Sequence, residues 1–212
     1  MTQPARSGIT VVSATTAADV VPAIKRIQRL TAAWMTIEVL VALSAAALSH
    51  SVALAAFGGD SDIELLSAAV VLWRFHTVRP KAEETAAKIT GWLLIALALF
   101  IAWQSLYTLL GRGPTPQPSF LGIGLLLVAG FFMPWLGRRK RELAAAANSV
   151  SLRADAAQSS VCAYMAWIAL AGLMLNSLAH IPWADPVAAL ALLPIVLKES
   201  KEALRGHSCC AS

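Results

Sequence analysis

Two carboxylates one helical turn apart are the first residues in this sequence whose types and spacing suggest chemistry. Asp60 and Glu64 are four residues apart in an otherwise apolar stretch. On a helix they lie about 40° apart, Ser67 continues their face, and Asp62 points to roughly the opposite side. Each acid costs about 2.5–3.5 kcal/mol at the centre of a membrane helix. We therefore expect the pair to face a protein interior or a hydrated cavity.

A second pair of donor groups follows about a hundred residues later. Gln158 and Cys162 are also four residues apart, and Asp155 and Met165 lie on the same broad stripe. Carboxylates and a thiolate are zinc ligands, whereas a glutamine carbonyl is a weaker one. The alternative is structural: a protonated buried Glu64, a packed Cys162 and an interhelical hydrogen bond from Gln158. Spacing alone favours the two interpretations equally.

The composition predicts the elements that must position these groups. Of 212 residues, 58% are hydrophobic and 14% are charged, against roughly 45–50% and about 25% in soluble domains. The mean hydropathy is +0.66. This excludes a disordered chain, a collagen-like chain and a disulfide scaffold, and it predicts an all-α integral membrane protein. The expected spans cover residues 31–50, 52–75, 88–110, 119–137, 153–178 and 185–199.

Charge predicts the orientation of the six spans. Lys and Arg precede the first span, follow the sixth, and fill the loops after the second and fourth, the latter with residues 138–141. An excess of Lys and Arg marks the cytoplasmic side, so both termini are expected in the cytoplasm and the protein in the cell (inner) membrane. The same distribution argues against nucleic acid as the partner of this chain of net charge +5.

The ends of the chain are expected to be short tails. Residues 1–20 are predicted to be disordered and to contain no signal peptide, and residues 21–30 to form a basic amphipathic segment on the membrane surface. The six-helix domain is expected to span residues 21–205. In the tail at 206–212, His207, Cys209 and Cys210 are candidates for capturing a soft metal, although a solvated tail is favoured. Three cysteines, two of them adjacent, indicate a reducing compartment.

Three stretches resemble the transmembrane part of the cation diffusion facilitator family. Residues 51–64 (SVALAAFGGDSDIE) are similar to the family's Ser-x-Ala-Leu-x-Ala run, which leads to an acid or His and then to an acid four residues later. Residues 152–155 (LRAD), followed by Gln158 and Cys162, resemble its Ala-Asp, His and Asp pattern. Residues 183–190 (WADPVAAL) look like the start of its sixth span.

The resemblance implies a homodimeric exporter of a divalent metal, usually zinc, driven by proton antiport. It assigns the transport site to Asp60, Glu64, Gln158 and Cys162, with Asp155, Ser67 and Met165 as accessory positions. Gln158 and Cys162 replace the family's His and Asp, so protons must exchange at other ligands. The thiol favours Zn²⁺, Cd²⁺ or another thiophilic ion. The family's cytosolic metal-binding domain is expected to be absent.

Other function classes are less well supported by the residues. A metal-binding receptor, sensor or partner subunit without net transport would share the same site. An intramembrane enzyme is disfavoured because the sequence has neither a His-Glu-x-x-His nor a Cys-x-x-Cys motif. No organic cofactor is expected.

Overall fold

The described part of the chain consists entirely of helices and their connections. A computed structural model describes residues 17–74, 80–147 and 149–205, and these ranges contain six α-helices and no strand. The predicted fold class and number of helices are therefore confirmed. The helices are α1 (Ala17–Ser49), α2 (Val52–Arg74), α3 (Pro80–Leu109), α4 (Phe120–Ala146), α5 (Val150–Ala179) and α6 (Ala184–Leu204).

Four helices surround the interior of the protein, and two pack on one side of them. Helix α1 lies against α2 and α4, α4 runs along α5, and α2 also contacts α5. Helices α3 and α6 pack along each other, and α6 joins the bundle through α5 and α2. The core is apolar, with Phe57, Leu126, Met133 and Met165 fully buried. The polar groups described below are enclosed by this core.

Several helices have the length and composition of membrane spans. Among the described residues, four segments qualify: Val20–Ser49, Gly91–Leu109, Phe120–Ala146 and Asp155–Ala179, with mean hydropathies between 1.7 and 2.0. Their outer surfaces carry large exposed apolar side chains such as Leu48, Trp103 and Phe131, as contact with lipid requires.

The helices extend beyond the predicted spans at the end of the bundle where α1 begins, α4 ends and α5 begins. The basic residues 138–141, which the sequence analysis places in a loop, form part of the last turns of α4. This difference matters because a helix places successive residues on different faces. Arg138, Arg139 and Arg141 are exposed, whereas Lys140 points into the bundle and is fully buried.

The basic segment at residues 21–30 is also part of a longer helix. It is not a separate element, because α1 continues through it without a break from Ala17, and its position at the membrane surface stays a prediction. Ile24 and Val20 form a small buried cluster with Ala144 of α4 and Leu152 of α5. Apolar contacts with these two helix ends thus align the segment with the bundle. Residues 17–20, predicted to be disordered, belong to α1, and residues 1–16 lie outside the described part of the chain.

A buried carboxylate joins the start of α6 to the start of α2. Asp185 Oδ1 accepts hydrogen bonds from the backbone N–H groups of Val52 (2.8 Å) and Ala53 (3.3 Å), and Ser51 Oγ donates to Asp185 Oδ2. The first N–H groups of a helix have no partner within the helix, and a negative charge at that end is favourable. Asp185 therefore caps α2 from another helix and fixes the position of its first turn.

Replacing Asp185 with alanine is expected to destabilise the protein without altering the interior site directly. Losing a helix-capping acceptor costs about 1–2 kcal/mol, which corresponds to a fall in melting temperature of about 2–8 °C for a chain of this size. Thermal unfolding of the purified protein in detergent measures this. Glu142, an acid exposed near the end of α4, provides the control variant, Glu142→Ala, and equal melting temperatures for the two variants would contradict the capping role.

Candidate functional site

Helix α2 turns two of its three acids into the bundle. Asp60 and Glu64 are fully buried, whereas Asp62 is exposed. The buried side of α2 is therefore the one indicated by the four-residue spacing. Neither carboxylate faces the outside of the bundle, because both are enclosed by neighbouring helices.

Helix α5 lines the same interior with three polar side chains. Asp155, Ser159 and Cys162 are buried on one face, and they succeed one another at about 6 Å and then about 4.5 Å along the helix axis. Ser159 Oγ donates a short hydrogen bond to Glu64 Oε1. Met165 is buried further along the helix, whereas Gln158 is only partly buried.

Lys140 of α4 brings a positive charge to the carboxylates of α2 and α5. Its Nζ lies 2.9 Å from Asp155 Oδ2 and 3.5 Å from Glu64 Oε1, and it donates a hydrogen bond of 2.8 Å to Ser159 Oγ. Gln28 Nε2 of α1 donates to the same Asp155 oxygen at 2.8 Å. All five side chains are buried, so four helices meet in one polar cluster.

Glu38 of α1 adds a third fully buried acid deeper in the bundle. Its Oε1 accepts a hydrogen bond of 2.9 Å from Ser61 Oγ, and Cys162 Sγ lies 3.7 Å from the same oxygen. Glu38 is not among the site residues predicted from the sequence. The rule that identified Asp60, that an acid within a membrane span is a candidate functional residue, also applies to Glu38. This residue lies within the predicted first span, residues 31–50.

Asp60 lies next to further acids. It is close enough to Glu64 and to Glu199 of α6 for their charges to interact, and Cys162 interacts with the same acids and with Glu38. Glu199, which is mostly buried, was also missed. We refer to the whole set as the polar column: Gln28, Glu38, Asp60, Ser61, Glu64, Lys140, Asp155, Ser159, Cys162 and Glu199. It runs from the end of the bundle where α5 begins towards the middle of the bundle.

Many carboxylate oxygens in the polar column have no hydrogen-bond partner among the described residues. They include both oxygens of Asp60 and one oxygen each of Glu38, Glu64 and Asp155. Buried polar atoms are ordinarily hydrogen-bonded, and a buried charge without a counterion is costly. Among the residues whose side-chain burial the structure describes, Lys140 is the one lysine or arginine that is buried with them. The column therefore has an excess of acceptors suited to cations or protons.

These donors are not arranged as a finished metal site. In residues 17–74, 80–147 and 149–205, no three His, Cys, Asp or Glu side chains form a group that would hold a metal ion. The ammonium of Lys140 and the hydroxyl of Ser159 lie among the carboxylates instead.

Some predicted site residues lie outside the described part of the structure. Ser67 belongs to α2, but its side chain is outside the described part of the chain. His207, Cys209 and Cys210 lie beyond the last described residue, Arg205.

Apolar helices that enclose a row of buried acids define a multi-pass membrane protein with a charged interior. The model of a protein family described as the cation efflux transmembrane domain matches residues 30–206. The chain therefore belongs to the cation efflux family, whose members transport metal ions across membranes and are not enzymes. This confirms the resemblance noted in the sequence. A search of curated proteins finds no match to the chain.

Proposed function

We propose that this protein exports a divalent metal ion, Zn²⁺ or another thiophilic ion such as Cd²⁺, through the polar column. The observation that carries the proposal is the position of Asp60, which is fully buried beside two other acids, Glu64 and Glu199. A group of desolvated carboxylates is poorly accommodated unless a cation or a proton joins it. Membership of the cation efflux family favours a metal ion as the transported species.

The donor set that we propose combines predicted residues with one found in the structure. Asp60, Glu64 and Cys162 are fully buried and interact with one another. Glu38 lies beside Cys162 and provides another carboxylate. The predicted ligand Gln158 lies on a more exposed strip of α5, and in our proposal Glu38 supplies the fourth donor.

The chemistry of this set favours soft divalent ions. Zinc accepts carboxylate oxygen and thiolate sulfur in a tetrahedral arrangement, and a sulfur ligand disfavours Mg²⁺ and Mn²⁺ relative to Zn²⁺ and Cd²⁺. A thiol must lose its proton when it binds a metal, so metal binding releases protons. Protons taken up by the same ligands would then favour metal release on the other side.

We propose that the metal enters the column from the cytoplasm, and the predicted topology indicates which end of the column faces that side. The polar column begins near the N-terminal part of α1, the end of α4 and the start of α5, where Gln28, Lys140 and Asp155 lie. The protein is expected in the inner membrane with both termini in the cytoplasm. This end of the column then faces the cytoplasm, and metal enters there. Alternating access would expose Asp60 to the other side in exchange for protons. We also propose a homodimer, as the family resemblance implies.

Transport by the purified protein tests this proposal. Full-length protein is reconstituted into liposomes with an acidic lumen and a luminal zinc-sensitive dye, and Zn²⁺ or Cd²⁺ is added outside. We expect metal to enter and the lumen to become more alkaline, both well above the rates of protein-free liposomes. Metal binding by calorimetry without any flux would contradict transport and support the alternative of a metal-binding receptor or partner subunit.

A further inference from the structure

Lys140 has no place in the donor set proposed above, although it lies in the polar column at the end of the bundle where α5 begins. Its neighbours in sequence, Arg138, Arg139 and Arg141, are exposed. Lys140 follows Met133, Leu136 and Gly137 on the buried face of α4 instead. A basic residue that served only as a topology signal would not require this burial, because the three arginines already supply positive charge at that end.

The contacts of Lys140 resemble those of a bound cation. Its ammonium lies 2.9 Å from Asp155 Oδ2 and 3.5 Å from Glu64 Oε1, and it donates to Ser159 Oγ at 2.8 Å. Each carboxylate retains one buried oxygen, Glu64 Oε2 and Asp155 Oδ1, without a hydrogen-bond partner in the described ranges. Two carboxylates thus surround one positive charge and leave acceptor capacity beside it.

We propose that Lys140 is a tethered cation that occupies the entrance of the metal site and must be displaced before a divalent ion reaches Glu64. This inference rests on the proposed function, because it assigns a role at the same site. A divalent ion carries twice the charge of the ammonium and attracts Glu64 and Asp155 more strongly at equal distance. The lysine therefore compensates the acids until metal replaces it, and it returns when the ion moves on.

A purely structural ion pair is the competing explanation, and the two differ in the effect of zinc. Removing one partner of a buried ion pair leaves an uncompensated charge and destabilises a protein. If Lys140 is only structural, added zinc does not repair that loss. If Lys140 is a displaceable cation, zinc fills the vacated position and restores stability, because a ligand that binds the native state raises the melting temperature.

The experiment compares full-length wild type, Lys140→Met and Lys198→Met in detergent, with and without ZnCl₂. Lys198 is an exposed lysine of α6 and serves as the matched control for the lost charge. We expect Lys140→Met to melt below wild type without zinc and to show a larger zinc-dependent rise than either other protein. We also expect its Zn²⁺ dissociation constant to fall by about tenfold or more, since it has lost a competing charge. An equal or smaller rise, or equal or weaker binding, would overturn the proposal.

A second pair of variants keeps the test decisive if Lys140→Met does not fold. Asp155→Asn leaves Lys140 paired with Glu64 alone. The double variant Lys140→Met/Asp155→Asn leaves one carboxylate, Glu64, without its cation, whereas Lys140→Met leaves two, so the double variant is expected to fold more readily than Lys140→Met. We expect the double variant to bind Zn²⁺ more tightly than Asp155→Asn, and equal or weaker binding would overturn the proposal. Both tests measure binding. Tighter binding by Lys140→Met together with an absence of flux in wild type would therefore reject the transport function and keep the role of Lys140.

Discussion

Replacing Asp60 with asparagine is expected to lower zinc flux in proteoliposomes by about 100-fold or more. The substitution keeps the shape of the side chain and removes its charge. Two unit charges 4 Å apart interact by about 4 kcal/mol at an effective dielectric constant of 20, and each 1.4 kcal/mol is tenfold in affinity. Because Asp60 is fully buried among helices, water does not replace the lost attraction.

Asp62 provides the control for this prediction. It lies two residues away on the same helix but is exposed, so Asp62→Asn is expected to transport zinc at close to the wild-type rate. Both variants should be purified in similar yield and elute at the same position in size-exclusion chromatography. Flux by Asp60→Asn within a few-fold of that by Asp62→Asn would remove Asp60 from the transport site.

Replacing Cys162 with serine is expected to weaken Cd²⁺ binding by at least about tenfold while changing Mn²⁺ binding little. Serine preserves the volume of the buried position and replaces sulfur by a hydroxyl oxygen. Soft thiolate ligands select thiophilic metals, whereas Mn²⁺ prefers oxygen donors. Calorimetry with the two ions measures the change, and the ratio of the two dissociation constants removes any common effect of altered folding.

The cysteines of the C-terminal tail supply the matched control. Cys209→Ser/Cys210→Ser removes two thiols outside the described structure and leaves Cys162 in place. We expect this double variant to retain the Cd²⁺ preference of the wild type. If the tail variant loses that preference and Cys162→Ser keeps it, the soft metal is bound by the tail and our assignment of Cys162 is wrong.

The sequence was sufficient to predict which side of α2 is buried. Acids are costly in lipid, so the face of α2 with two acids four residues apart, Asp60 and Glu64, was expected to point inward, and the lone Asp62 on the opposite side is the exposed one. The six helices followed from the apolar runs and the alternation of basic loops. The family resemblance then predicted that α2 faces α5. The spacing of residues within one helix does not show which other helix it packs against.

The sequence was insufficient where a charged residue had two competing interpretations. Residues 138–141 satisfy the rule for a cytoplasmic loop, and that interpretation concealed the inward position of Lys140, which depends on α4 continuing to Ala146. Glu38 is a single acid without a partner one turn away in the first span, so no spacing drew attention to it. The contact of Glu38 with Ser61 and Cys162 arises from the packing of α1, α2 and α5.

The most direct test of the metal site is X-ray absorption at the zinc edge of the loaded, purified protein. We expect one sulfur ligand at about 2.3 Å with oxygen ligands at about 2.0–2.2 Å, and loss of the sulfur contribution in Cys162→Ser. A spectrum dominated by imidazole nitrogen would place the ion at one of the four histidines of the chain, outside the polar column. That result would contradict the claim that metal crosses the membrane between Asp60, Glu64 and Cys162.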